Sequence, residues 1–399
     1  MNKYSKITPE GTRDLLFEEC DARREVESEL SSLFKARGYK KVITPTLEYF
    51  DVFNRESSGL EMESLYSLND CTGRLMVLRP DSTLPIARIA ATRLKDARYP
   101  LRLYYNQRVF HRCQSFTAHS DETTQSGIEL IGATGIRADL EIITTAIDSL
   151  TACGAPDFRI EIGHAGFFKA LSSALNTSGE ICAQIGEFIE AKNYAALNDL
   201  LDTLGDSESA KVMRNLPRLF GDTEVLDEAQ SICTGKDELS AISYLRDLYK
   251  KLAQLGLGKK INIDLGLVHR NNYYTGVVFR GFIEGSGLTV LSGGRYDMLI
   301  GEFGRQLPAT GFGVEIDVLA NAMLNRGAIP PAKPSDVLVF GEDGFEMQAF
   351  AHAKDLNKMK LVCENCTEEN EESARAYAAM RGIKRLDIVN GKGVKTCKI

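Results

Sequence analysis

A predicted long β-hairpin between Tyr104 and Gly132 constrains the fold of this chain more than any other segment. One apolar run begins at Tyr104 and Tyr105, and a second run, which contains Gln125 and Glu129, ends at Gly132. Gln125 and Glu129 are separated by an even number of residues, which on a strand places both side chains on one face. The sequence therefore predicts two antiparallel strands that present a polar pair to one side of a sheet.

The patterns before residue 326 indicate an antiparallel sheet with flanking helices. Helical spacing of apolar residues covers 17–37 and 140–150, and strand patterns cover 39–45, 75–78, 158–163, 261–264, 277–279 and 288–291. Between about 166 and 259 the spacing is helical, which predicts a helical insertion. This grouping of strands and helices is typical of an α+β fold rather than a doubly wound sheet.

A proline-rich segment divides the chain into two predicted domains. Residues 326–334 contain three prolines, which cannot continue a helix and favour an extended linker. Residues 1–325 would form the first domain. Residues 335–399 alternate strand and helix patterns, which predicts a small C-terminal α/β domain.

The charge and the apolar content narrow the functional classes. The formal net charge of the 399 residues is −7, which disfavours nucleic-acid binding because that function normally needs a basic surface. No apolar run has the length of a membrane-spanning helix, and the first residues do not resemble a secretory signal. We therefore expect a cytoplasmic protein that does not associate with membranes.

The cysteines favour reduced thiols. There are nine of them, an odd number scattered along the chain, which does not suggest a disulfide framework. Cys363 and Cys366 have the spacing of half a zinc site, and Cys397 is a candidate third ligand. Because no second pair or neighbouring histidine completes four ligands, we expect neither a metal nor another cofactor.

Four short motifs accompany the hairpin. They are a turn at 9–14 (PEGTRD), a predicted helix start at 78–83 (LRPDST), an aromatic pair at 273–279 (YYTGVVF) and a glycine-rich strand at 292–297 (SGGRYD). Taken singly, each has a structural explanation: Asp81 or Ser82 would be a helix cap, and paired tyrosines on a strand are usually part of the core.

In combination, the motifs resemble the catalytic core of histidyl-tRNA synthetase, a class II aminoacyl-tRNA synthetase. Nineteen positions separate Phe110 from Glu129, as in motif 2 of that family. Residues 17–45 look like motif 1, the dimerising element, and residues 311–319 look like motif 3. The resemblance implies a class II synthetase-like antiparallel sheet with flanking helices.

The same resemblance implies a histidine pocket. Asp81 would pair with the ligand's ammonium group, because a buried ammonium needs a carboxylate partner. Gln125 and Glu129 would hold the imidazole, whose two nitrogens need hydrogen-bond partners, and Tyr273 and Tyr274 would form the walls. A solvent-facing hairpin surface is the alternative reading of the polar pair.

Positions that carry arginines in the synthetase family are altered here. His111 stands in place of the motif 2 arginine, His269 in place of the arginine before the tyrosines, and Val318 in place of the motif 3 arginine. Cys113 replaces the acid that follows the motif 2 arginine. None of these residues reproduces the planar, permanently charged guanidinium that binds phosphate, so the sequence predicts that adenylate formation is lost or severely weakened.

The ligand carboxylate would then need another partner. Arg112, Arg295 and backbone N–H groups are the candidates.

This mixture of retained and altered motifs resembles the regulatory subunits of ATP phosphoribosyltransferase, histidyl-tRNA synthetase paralogues that lack aminoacylation. The resemblance covers residues 8 to about 325. It implies no catalytic residue in this chain and a short-form catalytic subunit as partner in the first step of histidine biosynthesis. It also implies a homodimer within a hetero-oligomer and L-histidine as a candidate effector.

Two alternatives stay open. A divergent histidyl-tRNA synthetase is disfavoured by the altered arginine positions. A stand-alone sensor of histidine or of tRNA is the other alternative, and its tRNA version is disfavoured by the acidic charge.

Overall fold

The computed structural model describes residues 3–55, 58–112, 120–155, 157–205, 207–268, 273–284, 286–327 and 333–399. The chain divides into two compact units, Met1–Ile329 and Pro330–Ile399. Within the described ranges, no helix combines the length and the apolar character needed to cross a membrane.

The helices of the first unit bury apolar faces. In the first of them, Val26, Leu30 and Phe34 recur at helical spacing and are almost completely buried, as the sequence predicts. The helices are α1 (Glu18–Ala36), α2 (Thr83–Ala91), α3 (Ile136–Ala152), α4 (Ala165–Ala174), α5 (Gly179–Glu190), α6 (Tyr194–Leu204), α7 (Glu208–Asn215), α8 (Glu224–Ile232), α9 (Lys236–Gln254) and α10 (Ile316–Asn325).

The strands of the first unit form one large sheet and one small sheet. They are β1 (Lys40–Lys41), β2 (Leu47–Tyr49), β3 (Ser67–Asn69), β4 (Leu75–Leu78), β5 (Leu101–Phe110), β6 (Glu122–Ile131), β7 (Phe158–His164), β8 (Phe220–Gly221), β9 (Ile261–Asp264), β10 (Val277–Ile283), β11 (Thr289–Arg295) and β12 (Ala309–Glu315). The described strands of the large sheet follow the order β1-β5-β6-β12-β11-β10-β7-β9-β8, and β2-β4-β3 form the small sheet.

The large sheet is mixed rather than purely antiparallel. The predicted hairpin is present as β5 and β6. These strands pair antiparallel, with Leu101 opposite Ile131 at one end and Phe110 opposite Glu122 at the other. Two pairs, β1 with β5 and β7 with β9, are parallel. The helical insertion contains a strand that its helical patterns do not predict, β8, which extends the sheet by pairing with β9. The predicted α+β class is confirmed, since helices flank this sheet.

The two faces of the large sheet have different surroundings. Tyr104 and Tyr105 are adjacent on β5 and are both about 1% exposed, yet they belong to different apolar cores. Tyr104 packs in the core that contains α1, α3 and much of the insertion. Tyr105 packs in the core that contains α2, Tyr273, Tyr274 and Tyr296. The second face is the one that carries the candidate site.

The second unit is a small α/β structure. It consists of β13 (Val337–Gly341), α11 (Glu346–Lys358), β14 (Cys363–Asn365), α12 (Glu371–Arg381), β15 (Arg385–Asn390) and β16 (Gly393–Lys398). Its strands follow the order β14-β13-β15-β16. The sequence pattern does not predict β16, because this edge strand is mostly exposed and lacks an apolar run.

Candidate functional site

Glu129 lies across the neighbouring strand of the large sheet. Its Cα is opposite that of Gly311 on β12. A Cβ atom at Gly311 would lie 1.8 Å from Oε2 of Glu129, so the carboxylate occupies the space that any other residue would fill. The glycine at position 311 therefore allows the glutamate side chain to lie flat on the sheet.

The Glu129 carboxyl group is buried and hydrogen-bonded. The residue is 1% exposed. The Thr83 hydroxyl donates to Oε1 at 2.8 Å, and the Tyr296 hydroxyl donates to Oε2. Burial raises the pKa of Glu129 to about 8, although the two hydroxyl donors favour the ionised form and oppose this shift.

Asp81 lies just before α2, where the sequence predicts a helix start. Its Oδ1 accepts a hydrogen bond of 2.8 Å from the backbone N–H of Leu84, so the residue serves as a helix cap. Burial raises the pKa of Asp81 to about 6. The charge of Asp81 also contributes to the raised pKa of Glu129, which shows that the two carboxyl groups interact. Its capping role and its position beside Glu129 are thus compatible.

Three tyrosine side chains pack beside these carboxyl groups. The ring centroids of Tyr273 and Tyr274 are 4.7 Å apart, and those of Tyr273 and Tyr296 are 5.8 Å apart. All three residues are at most 8% exposed. Tyr274 lies against Gly294, where an added Cβ would approach its ring to 2.8 Å. The glycine-rich strand thus makes room for an aromatic wall.

Gln125 is fixed at both ends of its amide. The Tyr105 hydroxyl donates to Oε1 of Gln125 at 3.1 Å, and Nε2 donates to Oε1 of Glu315 at 3.0 Å. The side chain lies over Gly313, where a Cβ would be 2.8 Å from its Cδ atom. Gln125 therefore faces the same side of the sheet as Glu129.

We call this group of residues the acidic cluster. It comprises Asp81, Thr83, Gln125, Glu129, Tyr273, Tyr274 and Tyr296. Within the residues that the structure describes, neither Asp81 nor Glu129 forms an ion pair with a lysine or arginine. A buried carboxyl group beside a half-buried one suits a ligand that brings positive charge or N–H donors.

Arg295, a candidate for the ligand carboxylate, is engaged elsewhere. Its guanidinium donates to Oδ1 of Asp139 at 2.7 Å from Nη2, and its Nη1 lies 3.1 Å from Oδ1 of Asp297. Asp139 belongs to α3, which packs on the face opposite the acidic cluster. Arg295 thus joins the sheet to α3 through a buried ion pair.

The remaining predicted positions do not belong to the acidic cluster. His111 and Arg112 follow β5 and are both exposed; the backbone N–H of Arg112 donates to the Ser64 carbonyl at 2.9 Å. Val318 lies in α10 and packs against the core. Cys113 and His269 fall outside the described residues.

Four further residues contact the predicted site residues, although the sequence alone predicts no binding role for them: Thr83, Tyr105, Tyr296 and Glu315. Thr83 and Tyr296 do lie inside the motifs at 78–83 and 292–297, so their positions gave a usable signal. Glu315 lies inside residues 311–319, which look like motif 3, but no local pattern links it to Gln125, which is 190 residues away in the sequence.

A cavity of about 980 Å³ shares no residue with the acidic cluster. Five arginines line it, together with five carboxylates: Arg13, Arg23, Arg24, Arg108 and Arg326, and Asp14, Glu27, Glu122, Glu284 and Asp317. Several of these arginines are already paired, such as Arg23 with Glu27 and Arg108 with Glu122. Its balanced charge does not favour a ligand of either sign.

The cysteines of the second unit are distributed over its sheet. Cys363 lies on β14 and Cys397 on β16, which are the opposite edges of this sheet. Among the described residues, no group of three or more metal-ligating side chains is close enough to hold an ion.

Sequence comparisons connect this geometry to known proteins. The family model for histidyl-tRNA synthetase matches residues 11–319. An ATP phosphoribosyltransferase regulatory subunit of Clostridium acetobutylicum is 42% identical over 390 residues, which is 97% of this chain and 96% of that protein. A protein of the same name from Clostridium botulinum is 38% identical over 386 residues, covering 96% of this chain and 92% of that protein.

Solved structures agree with these comparisons. One described as an ATP phosphoribosyltransferase regulatory subunit/histidyl-tRNA synthetase from Bacillus halodurans superposes with a TM-score of 0.82 at 30% identity, covering 94% of this chain and 97% of that chain. Histidyl-tRNA synthetase from Nostoc sp. superposes with a TM-score of 0.78 at 21% identity over 98% of this chain and 93% of that chain, a likeness of fold alone. The predicted class II synthetase-like architecture is confirmed.

Proposed function

Because the chain belongs to the family of ATP phosphoribosyltransferase regulatory subunits, we propose that it senses L-histidine at the acidic cluster and conveys this signal to a catalytic subunit. It is the non-catalytic component of that enzyme, which acts in histidine biosynthesis. The observation that supports histidine as ligand is the Glu129 carboxyl group, which is buried beside Asp81 and the tyrosine rings and has hydroxyl partners in place of a cation.

The proposed pose follows from the charges and the shapes. The ligand's ammonium group lies near Asp81, and its imidazole lies between Gln125 and Glu129. An imidazole offers both an N–H donor and a nitrogen acceptor, and these two side chains supply an amide and a carboxylate to match them. Tyr273 and Tyr274, whose rings contact each other, form an aromatic wall beside the imidazole.

The ligand's carboxylate requires a separate partner. Arg295 is committed to Asp139, so its guanidinium is not included in this pose. Arg112 is exposed at the end of β5 and is the proposed partner, with backbone N–H groups as the alternative.

The chain itself is proposed to lack adenylate chemistry. His111 and Val318 occupy positions where the resemblance to synthetases implies phosphate-binding arginines. An aliphatic side chain packed against the core and a histidine cannot supply the planar guanidinium fork that stabilises phosphate oxygens.

A homodimer is proposed to form through the helix and strand of residues 17–45. Large apolar side chains are exposed at its two ends, at Phe17 (75%) and Ile43 (74%), and in the segment before it, at Tyr4 (76%), Ile7 (61%) and Leu16 (57%). Exposed large apolar side chains are common at protein interfaces, and two-fold interfaces are the commonest among homo-oligomers. The proposed dimer binds short-form catalytic subunits.

Histidine can regulate the enzyme only if it binds two states of the assembly with different affinity. The test is isothermal titration calorimetry on the wild-type chain, on Glu129→Ala and on Glu342→Ala, which removes an exposed glutamate of the second unit. Loss of a hydrogen bond to a charged group costs about 1.5–3 kcal/mol, so Glu129→Ala should weaken binding at least about 10-fold while Glu342→Ala should not.

The same titrations are repeated on the complex with the catalytic subunit. Unchanged affinity in Glu129→Ala would mean that the acidic cluster is not the sensor. Absence of histidine binding even in the complex would leave the chain as an activating scaffold alone.

A further inference from the structure

Glu315 is a third carboxylate on the face of the acidic cluster. It ends β12, and its Cα is opposite that of Gln125 on β6. Gly311 and Gly313 precede it at even separations and face Glu129 and Gln125, so the alternation of the strand directs Glu315 to the same side. The residue is partly exposed, as Gln125 is.

The Glu315 carboxylate is engaged by two donors from β6. Nε2 of Gln125 donates to its Oε1 at 3.0 Å, and the Thr123 hydroxyl donates a second hydrogen bond. Burial raises its pKa and outweighs these two hydrogen bonds, and the nearby charge of Asp317 raises it further. In its ionised form the carboxylate has only acceptor atoms, so it then accepts from Gln125 in one orientation of the amide alone.

The contact at the other end of the Gln125 amide does not favour one amide orientation over the other. Tyr105 contacts Oε1 of Gln125 at 3.1 Å through a hydroxyl group, which can donate or accept. A flipped amide could therefore still bond to Tyr105, whereas it would place its oxygen against the Glu315 carboxylate. Glu315 is thus the residue that determines the orientation of the Gln125 amide.

We propose that Glu315 is a positioning residue that fixes the orientation of the Gln125 amide. It thereby determines which hydrogen bonds the acidic cluster offers to the ring nitrogens of its ligand. This inference rests on the proposed function, because it concerns the same ligand. With the amide fixed, Gln125 offers one free N–H and one free lone pair in set directions. The ligand class is an amine that carries a nitrogen heterocycle with one donor and one acceptor.

The test is a double-mutant cycle measured by calorimetry with L-histidine. It uses the wild type, Glu315→Gln, Gln125→Ala and the double variant, with Glu342→Gln as the matched control. Glu315→Gln keeps the shape but lets the amide flip, and it should weaken histidine binding about 10-fold, whereas Glu342→Gln should have no effect. In the Gln125→Ala background, Glu315→Gln should cause no further loss, because Glu315 acts through Gln125.

Thermal unfolding of each variant shows whether it is folded, and Glu315→Ala is measured in the same cycle in case Glu315→Gln is unstable. An equal loss from Glu315→Gln in both backgrounds would overturn the inference, as would unchanged affinity in Glu315→Gln. Either result leaves the proposed function intact, since the wild type still binds. A wild type that does not bind histidine overturns both.

Discussion

The hydroxyl of Tyr296 donates a hydrogen bond to Oε2 of Glu129, although 167 residues separate them in the sequence. Together with the Thr83 hydroxyl on Oε1, it gives each oxygen of this buried carboxyl group a hydrogen-bond donor. Hydrogen bonds from these two neutral donors lower the pKa of Glu129, but the effect of burial is larger, so the pKa stays raised. The folded protein thus holds a titratable group whose protonation differs from that in the unfolded chain.

The first prediction concerns the pH dependence of stability. The pKa of Glu129 is raised from 4.5 to about 8, so between these values the folded chain keeps a proton that the unfolded chain releases. The free energy of unfolding should therefore fall as pH rises through this window, by at most about 1.4 kcal/mol per pH unit. Glu129→Gln carries no titrating group and should lose this part of the slope.

Urea denaturation at a series of pH values measures the effect. Asp81 has a raised pKa of about 6 and contributes a slope of the same sign, which ends near that pH. The difference between wild type and Glu129→Gln is therefore read between about pH 6.5 and pH 8. Identical slopes for the two proteins in that interval would contradict the prediction.

The second prediction concerns Gly311. A methyl group there would lie 1.8 Å from the Glu129 carboxylate, so Gly311→Ala must displace that side chain. We expect a loss of stability of about 1–3 kcal/mol and a loss of histidine binding. The matched control is Gly179→Ala, where an added Cβ has no heavy atom within 4 Å. Calorimetry and urea denaturation of both variants are the measurements, and wild-type histidine affinity in Gly311→Ala would refute the assignment.

The third prediction separates a structural role of Arg295 from a ligand role. Its partner Asp139 is completely buried, so Arg295→Met leaves a buried carboxylate without its cation. Such a change should cost about 3–5 kcal/mol of unfolding free energy. Arg375→Met, which breaks an exposed pair with Glu371, should cost no more than about 1 kcal/mol. If the two variants unfold at the same urea concentration, Arg295 does not stabilise the sheet against α3.

The fourth prediction concerns dimerisation. Phe17 is 75% exposed and has a φ angle of 46°, a backbone conformation that is unfavourable for a bulky residue. Phe17→Glu should shift the chain from dimer to monomer at micromolar concentration, because it places a charge in the proposed apolar interface. Phe350→Glu introduces the same change at an exposed phenylalanine of α11 and should leave the dimer intact. Analytical ultracentrifugation decides between them, and a monomeric wild type would remove the dimer proposal.

The fifth prediction concerns catalysis. The purified chain should show no histidine-dependent exchange of pyrophosphate into ATP, because the positions of the motif arginines hold His111 and Val318. Loss of one such electrostatic contact typically costs about 2.7–4 kcal/mol of transition-state stabilisation. An active histidyl-tRNA synthetase serves as the positive control. Robust exchange at ordinary enzyme concentrations would restore the divergent synthetase as the better reading.

Local patterns in the sequence determined much of the fold. The predicted hairpin is present as β5 and β6, and the apolar spacing in 17–37 corresponds closely to α1. The even separation of Gln125 and Glu129 predicted one face, and the two side chains do lie on one face, opposite Glu315 and Gly311. These features depend on periodicity within one element, which a single sequence records directly.

The tertiary structure alone decided which distant groups meet. Arg295 looked available for a ligand in the sequence, yet Asp139 holds it from the other side of the sheet. Glu315 belongs to the motif 3-like residues 311–319, but only the register of β6 and β12 places it opposite Gln125. The strand β8 joined the sheet from within a segment of helical pattern. Side-chain pairs of this kind are set by strand register and helix packing over long separations, which local patterns do not encode.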